Sequence, residues 1–225
     1  MKEKSIVLTT EEVKAVLGRR KKMFRVPIKP QPPKELPWLG WINSSTDKKY
    51  EGKACWSDDS GISPGHYVKC PWQIEDILWV RETWERLSCC SCDGDWRGIC
   101  CSEPDENEGC YMYRSTHEIT GDARWHSSTC MPRAAARIFL KVTNVRVERL
   151  REITVEDVIA EGIDTDNDIR NPDPATHEGI RNWNYQYAQF QFKELWDSIN
   201  AKRGYGWDKS PWVWVVEFER AEAKV

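Results

Sequence analysis

The alternation of hydrophobic and polar positions predicts a strand, a helix and another strand in the first part of the chain. The apolar run SIVLT near the N-terminus predicts a short strand. A helix should follow, because Thr9 and Glu12 have the spacing of a capping box and Gly18 suits a helix end. DILWVRETW, at residues 76–84, alternates in the way that is typical of a strand with two different faces.

The rest of the chain contains four patterned segments. They are a β-rich run at 137–150, a helix at 153–163, a helix at 188–200 and a final strand at 211–219. Thr154 suits the first position of the first helix and Gly162 its end. The apolar positions of the second helix include Phe190, Leu195 and Ile199. We therefore expect an α+β fold in which a small mixed β-barrel carries flanking helices.

Three stretches lack this periodicity. They lie at about 31–73, 86–110 and 164–187, and they are rich in Pro, Gly, Ser, Asp or Cys. We interpret the first as a long loop with short strands, the second as a Cys-rich insertion and the third as irregular. With 225 residues, the chain is predicted to form a single domain over 1–225 that carries these insertions.

Composition narrows the class of protein. No apolar run approaches the roughly 20 residues that a membrane span needs, and residues 1–4 lack a signal-peptide pattern. We therefore expect a cytoplasmic protein with no membrane partner. The chain contains 13 Trp residues, whose flat rings fill cores and also form walls on which bases stack.

Charge is segregated along the chain, although the net charge is only −3. Between Lys14 and Lys34 there are eight Lys or Arg residues and no Asp or Glu, whereas 93–122 and 152–178 are strongly acidic. A basic face can attract phosphate locally because exposed charges are screened beyond roughly 8–10 Å. The candidate phosphate contacts are Arg19, Arg20, Lys22, Arg25 and Lys29. The alternative is a solvated basic loop.

A possible base-binding pocket is predicted around the strand at 76–84. Arg81 and Glu82 lie within an apolar strand, where a charge must face a partner or a cleft. With Trp79 and Trp84 as walls, they would suit hydrogen bonding to the edge of a base and stacking on its face. Arg133, in CMPRAAARI, is a further candidate. The alternative is an internal ion pair beneath packed Trp rings.

The cysteines offer a possible metal site. Cys89 and Cys92 have the spacing of a metal knuckle, and Cys100 and Cys110 would complete four thiolates. A structural zinc would supply folding energy to a loop-rich insertion. Because the second half is not a Cys-x-x-Cys pair, free cysteines remain the alternative.

Several motifs together resemble the ASCH domain, in the version found in phages and prophages. The strongest are LWVRETW and MPRAAARI, supported by ITVEDVIAEGI, LWDSIN and GYGWDKSPWVWVVEFE. ASCH domains belong to the PUA-like superfamily, whose members hold RNA or modified bases on a small β-barrel. The resemblance therefore implies a PUA-like barrel that binds RNA, DNA or a modified nucleoside.

One branch of that family is similar to an amidohydrolase that removes the acetyl group from 4-acetylcytidine. Its chemistry is attributed to a Lys and a Thr after the first helix and to a Glu at the end of a later helix. On this sequence the Lys falls on Lys21 and the Glu on Glu161, but the Thr falls on Phe24. A phenylalanine cannot attack an acyl carbon, so the resemblance favours binding over catalysis.

We thus expect nucleic-acid or modified-nucleoside binding, with two alternatives. The first is an amidohydrolase in which Lys21 acts with Glu161 as a base or carbonyl-polarising group. For that pair, a structural salt bridge between helix ends is the competing interpretation. The second is a phage-encoded module that binds a host protein.

Overall fold

The structure is a computed structural model that describes residues 2–36, 38–42, 47–57, 65–87, 110–117, 124–163 and 177–221. These residues form a mixed α+β protein with ten strands and three α-helices. They divide into two compact units, which are described separately below. The first takes its residues from Met1–Arg19, Ile77–Lys141 and Arg220–Val225, and the second from Arg20–Asp76 and Val142–Glu219.

In the first unit, strand β1 (Glu3–Val7) pairs parallel with β6 (Ile77–Arg81). Strand β6 also pairs antiparallel with the start of β9 (Phe139–Arg149). Between β1 and β6 in the chain, helix α1 (Thr10–Leu17) begins at a capping box formed by Thr9 and Glu12 and ends at Gly18. These helix limits confirm the sequence prediction.

A second, two-stranded sheet completes the first unit. It consists of β7 (Trp84–Leu87) and β8 (Cys110–Tyr113), paired antiparallel. The predicted single strand at 76–84 is therefore wrong in extent, because β6 ends at Arg81. The backbone N–H of Glu82 donates to the Met131 sulfur (3.2 Å) instead of continuing a ladder. The predicted faces are nevertheless correct within β6, since Leu78 and Val80 are buried and their neighbours are half-buried.

In the second unit, the remainder of β9 neighbours β10 (Trp212–Ala221), which pairs antiparallel with β2 (Met23–Pro27). A separate sheet has the order β3 (Trp38–Trp41), β4 (Lys53–Trp56) and β5 (His66–Lys69). This sheet provides the short strands that were predicted within 31–73. Residues Trp212 to Val216 are all buried, so β10 is covered on both faces rather than amphipathic.

Two helices pack in the second unit. Helix α2 (Val155–Ala160) begins at Thr154, whose side chain accepts a hydrogen bond from the Asp157 N–H. Helix α3 spans His177–Asn200, so the predicted irregular segment at 164–187 is helical from residue 177. Its described buried face is Ala188, Phe192 and Trp196, at i, i+4 and i+8. Phe190 and Ile199, predicted among its apolar positions, are 57% and 39% exposed.

The described chain shows a mixed α+β class in which strands outnumber helices. The prediction of one domain over 1–225 stays a prediction. No helix in the described ranges has both the length and the apolar character needed to cross a membrane.

Candidate functional site

Lys21 lies in a buried, charged group of side chains in the second unit. It lies just before β2, and its backbone neighbour Lys22 donates to the carbonyl of Ala160 (2.7 Å) at the end of α2. The Lys21 ammonium donates to Glu161 twice, to carboxylate Oε2 and to the main-chain carbonyl, both at 2.9 Å. Lys21 is 3% exposed and Glu161 6%. The structure therefore brings together the two residues that the sequence singled out.

Arg25 adds a second buried cation beside Glu161. Alternation along β2 points Arg25 to the same side as Met23, and its Nη1 donates to Glu161 Oε1 (3.1 Å). Its Nη2 donates to Glu148 (3.1 Å) and to Asp157. The Arg25 side chain is 1% exposed, so its guanidinium cannot meet a phosphate at the surface. Arg25 is thus a correction to the predicted set of phosphate contacts.

Arg146 closes this group on its more exposed side. Its guanidinium binds Glu148, Asp157 and Glu217. Burial alone would lower the pKa of Arg146, but the hydrogen bonds and charges of Glu148 and Asp157 outweigh burial and raise it. We call the whole set the Lys21 cluster: Lys21, Arg25, Arg146, Glu148, Asp157, Glu161 and Glu217.

The chemistry open to the Lys21 cluster is restricted by its pairing. Both carboxylate oxygens of Glu161 already accept hydrogen bonds from cations. Phe24, at the position where the resemblance expects a nucleophilic Thr, is 4% exposed and packs edge-on against Trp72 with a centroid distance of 5.1 Å. Its ring also lies 6.0 Å from Phe218. Phe24 is therefore part of the core, and no hydroxyl replaces the missing one at this position.

The remaining predicted basic residues point outwards. Arg19, Arg20, Lys22 and Lys29 are all exposed. Arg19 adopts a left-handed backbone conformation (φ 59°), and Arg20 donates to the carbonyl of Gly162 (3.3 Å). Lys29 lies over the Tyr205 ring at 5.4 Å. The basic segment therefore divides into inward residues that bind carboxylates and outward residues that face solvent.

In the first unit, Glu82 forms a second buried charged group with Arg137. Glu82 is 1% exposed and accepts two parallel hydrogen bonds from Arg137, Nε to Oε1 (2.9 Å) and Nη2 to Oε2 (3.0 Å). The Ser115 hydroxyl donates to Glu82 and accepts from Arg137 (2.9 Å). The Glu82 carboxylate is thus occupied, which matches the ion-pair alternative rather than a base-edge contact.

Tyr113 forms one wall of this group. The Arg137 guanidinium lies 3.9 Å from the centre of its ring, and the phenol donates to the carbonyl of Ala135 (2.7 Å). Burial raises the pKa of Tyr113 to about 12, with a smaller contribution from the charge of Glu82. Sequence reasoning missed Arg137. The sequence places an acidic residue within an apolar strand, which indicates that a cation pairs with it. The sequence does not indicate where in the chain that cation lies.

Arg81 lacks the carboxylate partners that Arg25, Arg137 and Arg146 have within the described residues. Its guanidinium lies 5.7 Å from the centre of the Trp79 ring, and both side chains are half-buried. Arg81 Nε is buried and makes no hydrogen bond with any residue that the structure describes. No carboxylate within the described ranges lies at ion-pair distance from it.

Arg133 has partners of its own. It binds the Glu3 carboxylate through Nε (3.0 Å) and Nη2 (3.1 Å), and it lies 4.5 Å from the centre of the Phe139 ring. The hydrogen bond from Arg133 lowers the pKa of Glu3. The structure therefore gives Arg133 a carboxylate partner and does not join it to Arg81 through any contact within the described ranges.

The predicted metal ligands cannot be placed in a site. Cys89, Cys92 and Cys100 lie outside the described residues, and of Cys110 only the backbone, in β8, is described. Within the residues that the structure does describe, no group of three or more His, Cys, Asp or Glu side chains is arranged to hold a metal ion. The structural zinc stays a prediction.

Comparison with known proteins adds no further identification. No protein-family model matches this chain, and neither a curated protein nor a solved structure matches it.

Proposed function

We propose that this protein binds nucleic acid or a modified nucleoside on a PUA-like barrel, with its outward basic residues on phosphate and Arg81 beside Trp79 on a base. The observation that carries the proposal is the Arg81 guanidinium, which has no hydrogen bond or ion pair among the described residues. Arginines whose side chains are partly buried usually have an anionic or carbonyl partner, because desolvated donors are costly to leave unpaired.

Arg81 and Trp79 together suit a nucleotide. A guanidinium forms paired hydrogen bonds with phosphate oxygens and with base edges, and an indole face provides a stacking surface. Both side chains are half-buried and so remain partly accessible to a ligand.

The outward basic residues supply the sequence-independent part of the affinity. Arg19 and Lys22 are exposed and have no ion pair within the described part of the chain. Phosphate contacts of this kind release counterions, so that affinity falls with rising salt concentration.

The test is a salt titration of binding to single-stranded RNA and DNA. Replacing Arg19, Arg20 and Lys22 by Ala should weaken binding and reduce the slope of log K against log salt by roughly 2 for a single strand. Arg81→Ala should weaken binding by about tenfold or more, the value of one lost charge-assisted hydrogen bond.

Arg133→Ala is the matched control for Arg81→Ala. It also removes an arginine that lies near an aromatic ring, but one whose charge is already bound by Glu3. If Arg81→Ala and Arg133→Ala weaken binding equally, or if the triple variant binds as the native protein does, the proposal fails. Co-purification of a host protein in place of nucleic acid would support the interaction-module alternative.

An amidohydrolase acting on 4-acetylcytidine is the second candidate, favoured by the 2.9 Å contact between Lys21 and Glu161. In this case Lys21 would polarise the acetyl carbonyl, Glu161 would take a proton from the water that attacks the acetyl carbon, and that proton would pass to the cytosine amino group as the C–N bond breaks and acetate leaves. Burial of both groups in the second unit supports the pairing, but the position of Phe24 in the core supplies no nucleophile.

Acetate release from 4-acetylcytidine distinguishes this candidate. The enzyme hypothesis requires release that Lys21→Met abolishes while Lys22→Met, an exposed neighbour, leaves it intact. Absence of release by a protein that retains nucleic-acid binding would reject the enzyme and keep the binder.

A further inference from the structure

An aromatic row crosses the three-stranded sheet of the second unit. Trp38 of β3 pairs directly with Trp56 of β4, and Trp56 pairs directly with His66 of β5. Residues that are directly opposite in an antiparallel sheet project from the same face, so the three rings form one line. Gly65 permits this arrangement, because a Cβ there would lie 2.9 Å from the carbonyl oxygen of Trp56.

Trp212 of β10 packs against this row. Its ring centre lies 5.5 Å from that of Trp56 and 6.0 Å from that of Trp38, while Trp38 and Trp56 are 4.8 Å apart. Trp56 is fully buried and Trp212 is 9% exposed, whereas Trp38 and His66 are half-buried. We call Trp38, Trp56, His66 and Trp212 the tryptophan site.

The tryptophan site contains three buried nitrogens that have no hydrogen-bond partner among the residues the structure describes. They are Trp56 Nε1, Trp212 Nε1 and His66 Nε2. Buried polar atoms are paired in the large majority of cases, and each unpaired one costs about 1–3 kcal/mol. Three in one group of touching rings indicate that a hydrogen-bonding partner belongs there.

We propose that the tryptophan site binds a pyrimidine base with two ring carbonyls, such as uracil or thymine. This inference rests on the proposed nucleic-acid function and adds a second base site, separate from Arg81 and Trp79, with a stated base preference. The two indole N–H groups are obligate donors, and His66 Nε2 donates or accepts according to its tautomer. The Watson–Crick edge of uracil offers two carbonyl acceptors and one N–H donor, which match these groups in kind and number.

The other bases fit this set less well. Adenine and cytosine present an amino donor at that edge, which would face an indole N–H donor and leave both unpaired. The indole faces would stack on any base, so discrimination comes from the buried nitrogens rather than from the rings.

Arg149 supports the choice of a nucleotide. Its guanidinium lies 4.4 Å from the centre of the Trp212 ring and donates to the carbonyl of Ser210 (3.2 Å). Its side chain forms no ion pair within the described residues. A cation beside the site suits the phosphate that accompanies a base in a nucleic acid.

The first experiment compares the binding of free uridine with that of ribose 5-phosphate, using the quenching of tryptophan fluorescence as the signal. Uridine should bind and quench, whereas the sugar phosphate should not. Trp38→Phe should weaken uridine binding by roughly fivefold or more, since it reduces the stacking surface at the accessible end of the row. Trp41→Phe is the matched control, because Trp41 is also half-buried on β3 and also packs on a Trp of β10, Trp214 at 5.4 Å.

Trp56→Phe replaces a fully buried side chain, so the folding of this variant must be checked by circular dichroism. His66→Ala is the second variant, because His66 is only half-buried. Both should reduce the preference for uridine over adenosine. Equal binding of the two nucleosides, or equal effects of Trp38→Phe and Trp41→Phe, would overturn the inference.

Oligonucleotides separate this inference from the proposed function. Oligothymidylate should bind more tightly than oligoadenylate or an abasic strand of the same length. Equal salt-dependent binding of all three would reject the base site and keep the proposed function. Uridine binding without affinity for any strand would keep the base site and reject the proposed function.

Discussion

Among single residues, Glu161 holds the buried part of the Lys21 cluster together. It accepts hydrogen bonds from Lys21 and Arg25, and all three side chains are at least nine-tenths buried. Removal of one partner from a buried ion pair leaves an uncompensated charge, which costs more than the pair contributes when intact.

We therefore expect Glu161→Ala to lower the free energy of unfolding by about 3–5 kcal/mol. Urea denaturation followed by fluorescence would measure the change. Lys49→Ala, which breaks the exposed pair of Lys49 with Asp47 (2.7 Å), should have little effect. Similar losses in the two variants would show that burial does not determine the value of the Glu161 contacts.

Because of Tyr113, the stability of the folded protein should depend on pH in the alkaline range. Its pKa is raised to about 12 in the folded protein, mainly by burial, whereas the ordinary value is 10.0. Above pH 10 the unfolded state loses this proton before the folded state does. Stability from this group is therefore complete below pH 10 and is lost as the pH rises towards 12.

The expected loss from Tyr113 is roughly 1–2 kcal/mol after allowance for solvent screening. Denaturation curves at several pH values between 10 and 12 would measure it, with Tyr113→Phe as the comparison. The Phe variant should show a shallower decline over this range. An equal decline in stability with pH for the two proteins would contradict the contribution assigned to Tyr113.

Among the elements, helix α1 shows how local chemistry fixes a boundary. The Thr9 hydroxyl accepts from the Glu12 N–H (3.3 Å), and Glu12 accepts from the Thr9 N–H (2.9 Å). Such a reciprocal cap depends on two residues three positions apart, so it was predictable from the sequence.

Thr9→Ala should destabilise the protein by about 1 kcal/mol because the cap is lost. Thr10→Ala is the matched control, since Thr10 is the first helical residue and makes no capping bond. Thermal denaturation of both variants would test the assignment. A larger loss for Thr10→Ala would place the cap one residue later.

Helix and strand limits were predicted well where residues close in the chain determine them, and buried faces were predicted poorly where packing against distant residues determines them. The limits of α1, the Thr154 cap and the Gly162 stop follow from side-chain capping and from the left-handed backbone at Gly162 (φ 89°). The buried face of α3 was partly missed, since Phe190 is exposed and Phe192 buried. Both are phenylalanines, and only the position of the neighbouring core distinguishes them.

At the scale of the whole molecule, the near-neutral net charge hides two kinds of charge environment. Of the eight basic residues between Lys14 and Lys34, Lys21 and Arg25 are buried among carboxylates, and Lys14 binds Glu11 (3.0 Å). The other five are exposed. The acidic segment around α2 thus neutralises part of the basic segment within the second unit.

The candidate site was predictable from the sequence only in part. The pairing of Lys21 with Glu161 was anticipated through the resemblance, and Arg81 beside Trp79 through strand alternation. The partners Arg25, Arg137 and Arg146 were not, because an ion pair between residues distant in the chain leaves no spacing to detect. The tryptophan site was missed for the same reason, as its register depends on which strands pair.

The opposite surroundings of Lys21 and Lys22 should also appear in their chemical reactivity. An amine must be accessible and unprotonated to react with an acetylating reagent, and Lys21 is 3% exposed and bound to Glu161, whereas Lys22 faces solvent. Brief treatment of the native protein should therefore acetylate Lys22 and spare Lys21, as peptide mass spectrometry would show. Equal labelling of these adjacent lysines would mean that the end of α2 opens readily. The ratio of acetylation at these two adjacent lysines would therefore report how often the C-terminal end of α2 opens.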